Sequence, residues 1–142
     1  MNIEKINKNN ISDVIEFLKH LPSLKKVDEE ILMSGICLYY DKKICGCISY
    51  EKIKNYGIAI YFVYKNNTKK DDIEKLITNI SVDMILDGIE YILIVLNSEE
   101  QKQLFLSFDF DDISDKYIFD EENEILHNYY EKPIILVKKI NM

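Results

Sequence analysis

The sequence predicts a single α/β domain, α+β in the stricter sense, with a mixed, mostly antiparallel central sheet flanked by helices. Three observations predict it. Short runs rich in β-branched and aromatic residues, separated by turn residues, fill most of the first 64 positions. A long segment of helical period follows, with Ile73, Leu76, Ile77, Ile80, Met84 and Ile85 at three- and four-residue spacing. Directly after it Tyr91 to Leu96 is apolar on both faces, as a central strand of parallel type requires.

The elements follow in order. Asn2 to Asn7 alternates and predicts a first strand. Ser12 can cap a helix whose Val14, Ile15, Leu18 and Leu21 form one apolar stripe before Pro22, and a shorter helix is expected from about Asp28 to Met33. Gly35 opens the run ICLYY, which Asp41-Lys-Lys43 separates from ICGCISYEKI, and the pair reads as a hairpin. Asn55-Tyr-Gly57 signals the next turn, before the strand IAIYFVY. After the long helix Gly88 is its stop, and Ser98 can cap a further helix to about Phe108. The acidic stretch Asp109 to Glu124 is read as a strand and a loop, and Pro133 opens the last strand, IILVKKI.

Composition bounds the chemistry. With 142 residues, 47% hydrophobic and 30% charged, residues 1–142 form one domain with one core. There is no arginine, and Lys, Asn, Ile, Asp and Tyr abound, a bias that an AT-rich, low-GC bacterial genome produces. Without guanidinium forks the chain makes no bidentate contact to phosphate or guanine. The net charge of -7 argues against nucleic acid, which demands a basic face. Charge is polarised, with twelve lysines against eight carboxylates in residues 1–70 and six against seventeen in residues 71–142. No signal-peptide pattern or membrane-length apolar run occurs, so no membrane association is expected, and three cysteines fit a reducing, cytoplasmic setting.

The order of elements, an antiparallel meander, a βαβ crossover, a further helix and a final strand pair, resembles the GNAT superfamily of acetyl-CoA-dependent N-acetyltransferases across nearly the whole chain. Lys43-Ile-Cys-Gly46 is similar to that family's "k-i-v-G" strand. Leu104 to Phe110 takes the place of its "L-Y-e-k-l-G-F" helix end, and Tyr130 to Lys139 looks like its closing strand. The resemblance implies a cofactor loop in VYKNNTKKDDIEKL, between Val63 and Leu76. There the family places a basic or amide residue and two small residues, so that bare amides at a helix N-terminus meet the CoA diphosphate. On this chain Thr68 falls at the basic or amide position, and Asp71 and Ile73 fall at the two small ones, with Lys65, Lys69 and Lys70 around them.

The pattern is therefore degenerate. An aspartate at the cap, Asp71, would take up the amides a phosphate needs, and Ile73 would add bulk beside the backbone. The general acid that the resemblance implies is a tyrosine, and Phe105 stands in its place with no proton to give. Asp109 replaces the glycine of "G-F", and no carboxylate or histidine lies in Ile58 to Tyr64 to act as base, which leaves Tyr61, Tyr64 or Glu51. Two readings follow. One is a GNAT-like domain whose acetyl-CoA catalysis is weakened or lost, serving as a binding or regulatory module. The other is an active acetyl-CoA-dependent N-acetyltransferase for a small-molecule or protein amine, an acyl-CoA N-acyltransferase.

Other constellations have plain readings. Cys45-Gly-Cys47 and Cys37 on the hairpin partner read as small core hydrophobes, and neither His20 nor His127 has zinc-site spacing, so no metal is expected. Asp109, Asp111, Asp112, Asp115, Asp120, Glu121, Glu122 and Glu124 lack the spaced glycine and glutamate of a calcium loop. They read as a solvated acidic edge, or as a docking surface for a basic protein partner or a cationic amine. The pairs Tyr39-Tyr40 and Tyr129-Tyr130 suit half-buried strand positions, a binding cleft or a homodimer interface.

Overall fold

The structure is a computed structural model and describes residues 1–20, 27–96, 98–114 and 134–141. Strands β1 (Asn2–Lys5), β2 (Ile36–Tyr40), β3 (Lys43–Ile53), β4 (Tyr56–Tyr64), β5 (Tyr91–Leu96), β6 (Asp111–Asp112) and β7 (Ile134–Lys139) alternate with four helices. The helices are α1 (Ile11–Lys19), α2 (Glu29–Leu32), α3 (Lys70–Leu86) and α4 (Glu99–Leu106). Hydrogen-bonded neighbours run in the order β1-β2-β3-β4-β5-β7-β6, a mixed seven-stranded sheet. The antiparallel ladders are β1 with β2, β2 with β3, β5 with β7 and β6 with β7, while β4 and β5 pair in parallel from Tyr56↔Tyr91 to Ile58↔Leu93. Among the described residues no helix is long and apolar enough to cross a membrane.

The chain divides into two compact units. The first, Met1–Glu51 with Ala59–Asp83, carries β1 to β3, most of β4 and most of α3. Its core holds Val14 and Leu18 of α1, Leu32 of α2, Leu38, Cys47 and Ile48 of the hairpin, and Leu76 and Ile80 of α3, all with no exposed surface. The helix α1 starts at Ile11, ahead of the expected Ser12 cap. The reason is local: the Asn7 side-chain oxygen accepts the amides of Asn9 and Asn10, and that of Asn10 accepts the Asn7 amide, so a compact turn hands the chain to the helix early. Leu21 and Pro22 lie outside the described residues.

Helix α2 forms as expected, because the Asp28 carboxylate accepts from the Glu30 and Ile31 amides. The hairpin turn is Asp41-Lys42 alone, both residues at positive φ, 50° and 68°, the geometry of a type I′ turn. Lys54 at φ 57° carries the next turn, so Gly57 lies inside β4 rather than in the turn. Its place there is steric, since a Cβ would come 2.8 Å from the Met84 sulfur.

The second unit, Lys52–Ile58 with Met84–Met142, holds the parallel ladder, β5 to β7 and α4. Strand β5 buries Ile92, Leu93, Ile94 and Leu96, as a strand with neighbours on both sides must. Gly88, at φ 81°, ends α3 in the expected place, with the Gly88 amide on the Ile85 carbonyl and the Ile89 amide on that of Met84, a Schellman closure. Ser98 caps α4 by accepting from the Gln101 amide.

Lys102 of α4 reaches Asp112 of β6 at 2.7 Å, Ser114 donates its hydroxyl to the same carboxylate at 2.6 Å, and the Ile135 amide of β7 donates to Ser114. Lys102 first, then the Ser114 hydroxyl and amide, hold the Asp112 carboxyl at about 2, below the usual 3.8. A depressed folded value contributes stability above the unfolded value, so this contribution is present above about pH 4 and is lost as the pH falls toward 2. Replacing Lys102 with Met should return Asp112 toward its ordinary value and flatten the acid limb of stability, measured by carboxyl NMR titration and urea melts across that window.

Candidate functional site

The loop between β4 and α3 lies within the first unit, as the sequence implies. The Lys65 amide donates to the Cys45 carbonyl at 2.9 Å, which ties the loop to β3, and the Thr68 amide turns back on Lys65 at 3.0 Å. Helix α3 then begins at Lys70, with the Asp72 and Ile73 amides on the Lys69 carbonyl. Lys65, Lys69 and Lys70 are exposed, Val63 is half-buried, and the Thr68 hydroxyl is buried with no hydrogen-bond partner among the described residues.

Two expectations for this loop need correction. Asp71 is not the cap, because it sits inside the first turn of α3 with its side chain exposed. The buried aspartate is Asp72, 7% exposed, whose carboxylate accepts from the Tyr40 phenol and lies 3.9 Å from the Lys75 ammonium. Ile73, 3% exposed, packs into the core instead of standing over the first-turn amides. One residue of helix rotation, about 100°, separates the outward Asp71 from the inward Asp72.

Strand β4 carries a feature that the sequence does not signal. Tyr61, in mid-strand, has φ 54°, a conformation that tyrosine adopts only under constraint from its surroundings. Its phenol oxygen accepts from the Asp28 amide at 2.7 Å, and its carbonyl accepts from the Cys47 thiol at 3.2 Å. Both contacts hold the residue in place. Of the other candidate bases, Tyr64 tilts against Phe62 with ring centroids 5.6 Å apart, and Glu51 is half-buried at the far part of β3.

In the second unit Phe105 has no exposed surface and meets Phe108 and Phe110 edge to face, at 5.8 and 6.0 Å between centroids. It is a core residue. Asp109 follows at φ 70°, with the Asp109 amide on the Leu106 carbonyl and the Phe110 amide on that of Phe105. The left-handed cap that a glycine would provide is thus kept by an aspartate, at a cost in strain. Asp109→Gly should raise stability by about 0.5–1 kcal/mol, measured by urea denaturation.

The remaining candidates separate. Cys37 and Cys47 face each other across β2 and β3, but their thiols turn to the carbonyls of Glu4 and Tyr61, and burial pushes Cys37 up to about 11 and Cys47 higher still. Cys45 is buried too, and among the described residues no group of three or more His, Cys, Asp or Glu side chains could hold a metal ion. Of the acidic segment, Asp111 is exposed and Asp112 is already engaged by Lys102. Asp115, Asp120, Glu121, Glu122, Glu124, His127, Tyr129, Tyr130 and Pro133 lie outside the described residues.

These features decide how well the loop suits the diphosphate of CoA. In its favour stand the partnerless Thr68 hydroxyl and three exposed lysines. Against it stand Asp71 and Asp72 in the first turn, whose sign opposes a phosphate at the helix entry. Asp71 and the three lysines are all exposed, so solvent screening holds the contribution of each to about 1 kcal/mol or less. The loop thus brings groups of both signs to the entry of α3.

No protein-family model and no curated protein matches the sequence. Solved structures do match the fold. N-acetylglutamate synthase from Neisseria gonorrhoeae, complexed with coenzyme A and N-acetyl-glutamate, superposes with a TM-score of 0.81 at 14% identity over 99% of this chain. This chain spans about a third of that synthase, 35% of its length. A probable acetyltransferase from Staphylococcus epidermidis gives 0.71 at 18% identity, covering 97% of this chain and 98% of its own. An acetyltransferase of the GNAT family from Staphylococcus aureus gives 0.67 at 13% identity, covering 99% of each. The chain carries the fold of the GNAT acetyltransferases.

Proposed function

We propose that this protein is a GNAT-fold domain whose acetyl-CoA chemistry is weakened or lost and that it serves as a binding or regulatory module. Phe105 carries the reading. A fully buried phenyl ring between two other phenyl rings has no proton for a departing thiolate and lies where only a buried, bonded hydroxyl could replace it. The two aspartates in the first turn of α3 act in the same direction, because they oppose the diphosphate that would hold the cofactor. The partner proposed for such a module is a basic protein, to which the excess of carboxylates over lysines in residues 71–142 is complementary, in a cytoplasmic setting.

A second reading rests on the Thr68 hydroxyl, which is buried without a partner beside Lys65, Lys69 and Lys70 and would welcome a phosphate oxygen. It makes the protein an N-acetyltransferase for a small-molecule or protein amine, with acetyl-CoA as donor; the structurally similar synthase is complexed with coenzyme A. The two are separated by following thiol release from acetyl-CoA in the presence of a panel of polyamines, amino acids and lysine-containing peptides. The proposal expects release at or close to the rate of the protein-free blank for every amine. Turnover with any of them on the order of 1 per second or faster, as ordinary enzymes show, would overturn it.

A further inference from the structure

We infer that the outward face of α3 near its C-terminal end, made by Val82, Ile85 and Leu86, is a docking surface for a basic amphipathic helix of a partner protein. The inference rests on the reading of the chain as a module for a basic partner, and it gives that partner a place.

The apolar part of the surface follows from the helix. Ile73, Leu76, Ile77, Ile80 and Met84 turn inward and are buried. Ile85 belongs to the stripe that the sequence assigns to the same inward face, yet it stands about 100° around the helix from Met84 and is 38% exposed. With Val82 at 53% and Leu86 at 82% it forms a group at i, i+3 and i+4, the spacing that sets side chains next to one another on a helix surface. All three belong to one uninterrupted helix, so helix geometry alone brings them together. Apolar residues exposed singly need no explanation, but among the described residues Met1 is the only other large hydrophobic that is exposed. The exposed apolar side chains are therefore concentrated on one turn of α3.

The surroundings of this group are acidic. The stretch from Thr78 to Glu90 contains Asp83, Asp87 and Glu90 and no lysine. The last turn of α3 likewise has no basic residue to meet the carbonyl end of the helix dipole. Two lysines reach in from neighbouring strands, Lys5 at 3.5 Å from the Asp83 carboxylate and Lys52 donating to the Asp87 carbonyl at 2.6 Å. The Glu90 carboxylate accepts from a neutral donor, the Asn55 amide, at 2.9 Å. Residues 71–142 as a whole carry seventeen carboxylates against six lysines. A second copy of this chain would bring the same acids to the same place and be repelled. A helix with leucine-like residues on one face and lysine or arginine beside them covers the apolar group and neutralises the acids around it.

The test is fluorescence anisotropy with a labelled helical peptide of leucine and lysine, its leucines at i, i+3, i+4 and i+7. The controls are a scrambled peptide of the same composition and a peptide with glutamate in place of every lysine. Val82→Ser with Leu86→Ser removes the apolar group without touching the core, and Asp87→Asn with Glu90→Gln removes charge alone. Far-UV circular dichroism establishes that each double variant is folded; if the first is not, the second decides the question. The expected result is micromolar binding of the leucine–lysine peptide by the wild type. Affinity should fall at least tenfold in Val82→Ser with Leu86→Ser and with the scrambled peptide, and at least threefold in the charge variant, and the glutamate peptide should not bind. No binding by the wild type, or the same affinity in both folded variants, would overturn the docking surface and leave the proposed loss of acetyl-CoA turnover standing. A wild type that is dimeric by analytical ultracentrifugation and monomeric in Val82→Ser with Leu86→Ser would also overturn it, by giving the face to a second copy. Thiol release from acetyl-CoA is read in a separate assay, so failure of the proposed function is told apart from failure of the surface.

Discussion

Phe105→Ala is expected to destabilise the protein by about 3–5 kcal/mol, the usual cost of emptying a fully buried phenylalanine site. The ring has no exposed surface, and two aromatic neighbours, Phe108 and Phe110, meet it edge to face. Both lie just beyond α4, where Asp109 forces the chain into a left-handed turn, so neither can easily move inward to fill the gap. For a domain of this size the loss corresponds to a fall in Tm of roughly 10 °C or more. Urea melts with an unchanged slope and a lowered midpoint would establish it. A surface ring lining an open cofactor cleft would instead tolerate the truncation to within about 1 kcal/mol.

The second large effect is at Gly35, where the chain leaving α2 crosses β3. Its amide donates to the Leu32 carbonyl and its carbonyl accepts from the Ile6 amide, both at 3.0 Å, so the backbone is fixed on both sides. A Cβ at this position would lie 2.9 Å from the Ser49 Cα and still closer to the Ile48 carbonyl oxygen and the Ser49 hydroxyl. Backbone cannot rotate away as a side chain can. Gly35→Ala should therefore cost at the upper end of the roughly 1–3 kcal/mol typical of overpacking, and it should also disturb the Ser49 hydroxyl, which donates to the Leu32 carbonyl at 3.2 Å. Thermal melts of the variant against the wild type measure the first, and loss of amide protection at Ser34 to Ile36 in hydrogen exchange measures the second.

Much of the fold is legible in the sequence because the signals are local. The Asp41 turn sits between two β-rich runs, the α3 stripe repeats over several turns, and Gly88 lies where a helix must stop. The two-sided apolarity of β5 likewise reports its neighbours. Where the reading is displaced, a second local signal competes: Asn7 and Asn10 build a turn that starts α1 before Ser12, and Lys54 takes the left-handed position that a glycine three residues on suggests for itself.

The site is less legible because its decisive features are not local. Tyr40 and Asp72 meet only once β2 and α3 are packed, and nothing in either stretch alone names the other. That Asp72 is buried, and Asp71 exposed, could have been read from periodicity, since Asp72 stands four residues before Leu76 on the same stripe. Motif alignment draws the eye to Asp71 instead. At Asp109 substitution hides continuity: the residue type departs from glycine while the backbone keeps its left-handed turn. Tyr61 has a strained backbone that no residue pattern announces.

The most direct measurement is a thermal melt of the wild-type protein with and without millimolar acetyl-CoA, with CoA alongside. A ligand at 100 times its Kd adds about 2.7 kcal/mol, which for a chain of this length raises Tm by roughly 5–10 °C. The account predicts that Tm does not move with either compound. A rise of that size would contradict it, and would mean that Thr68 and the three lysines hold a diphosphate in spite of Asp71 and Asp72.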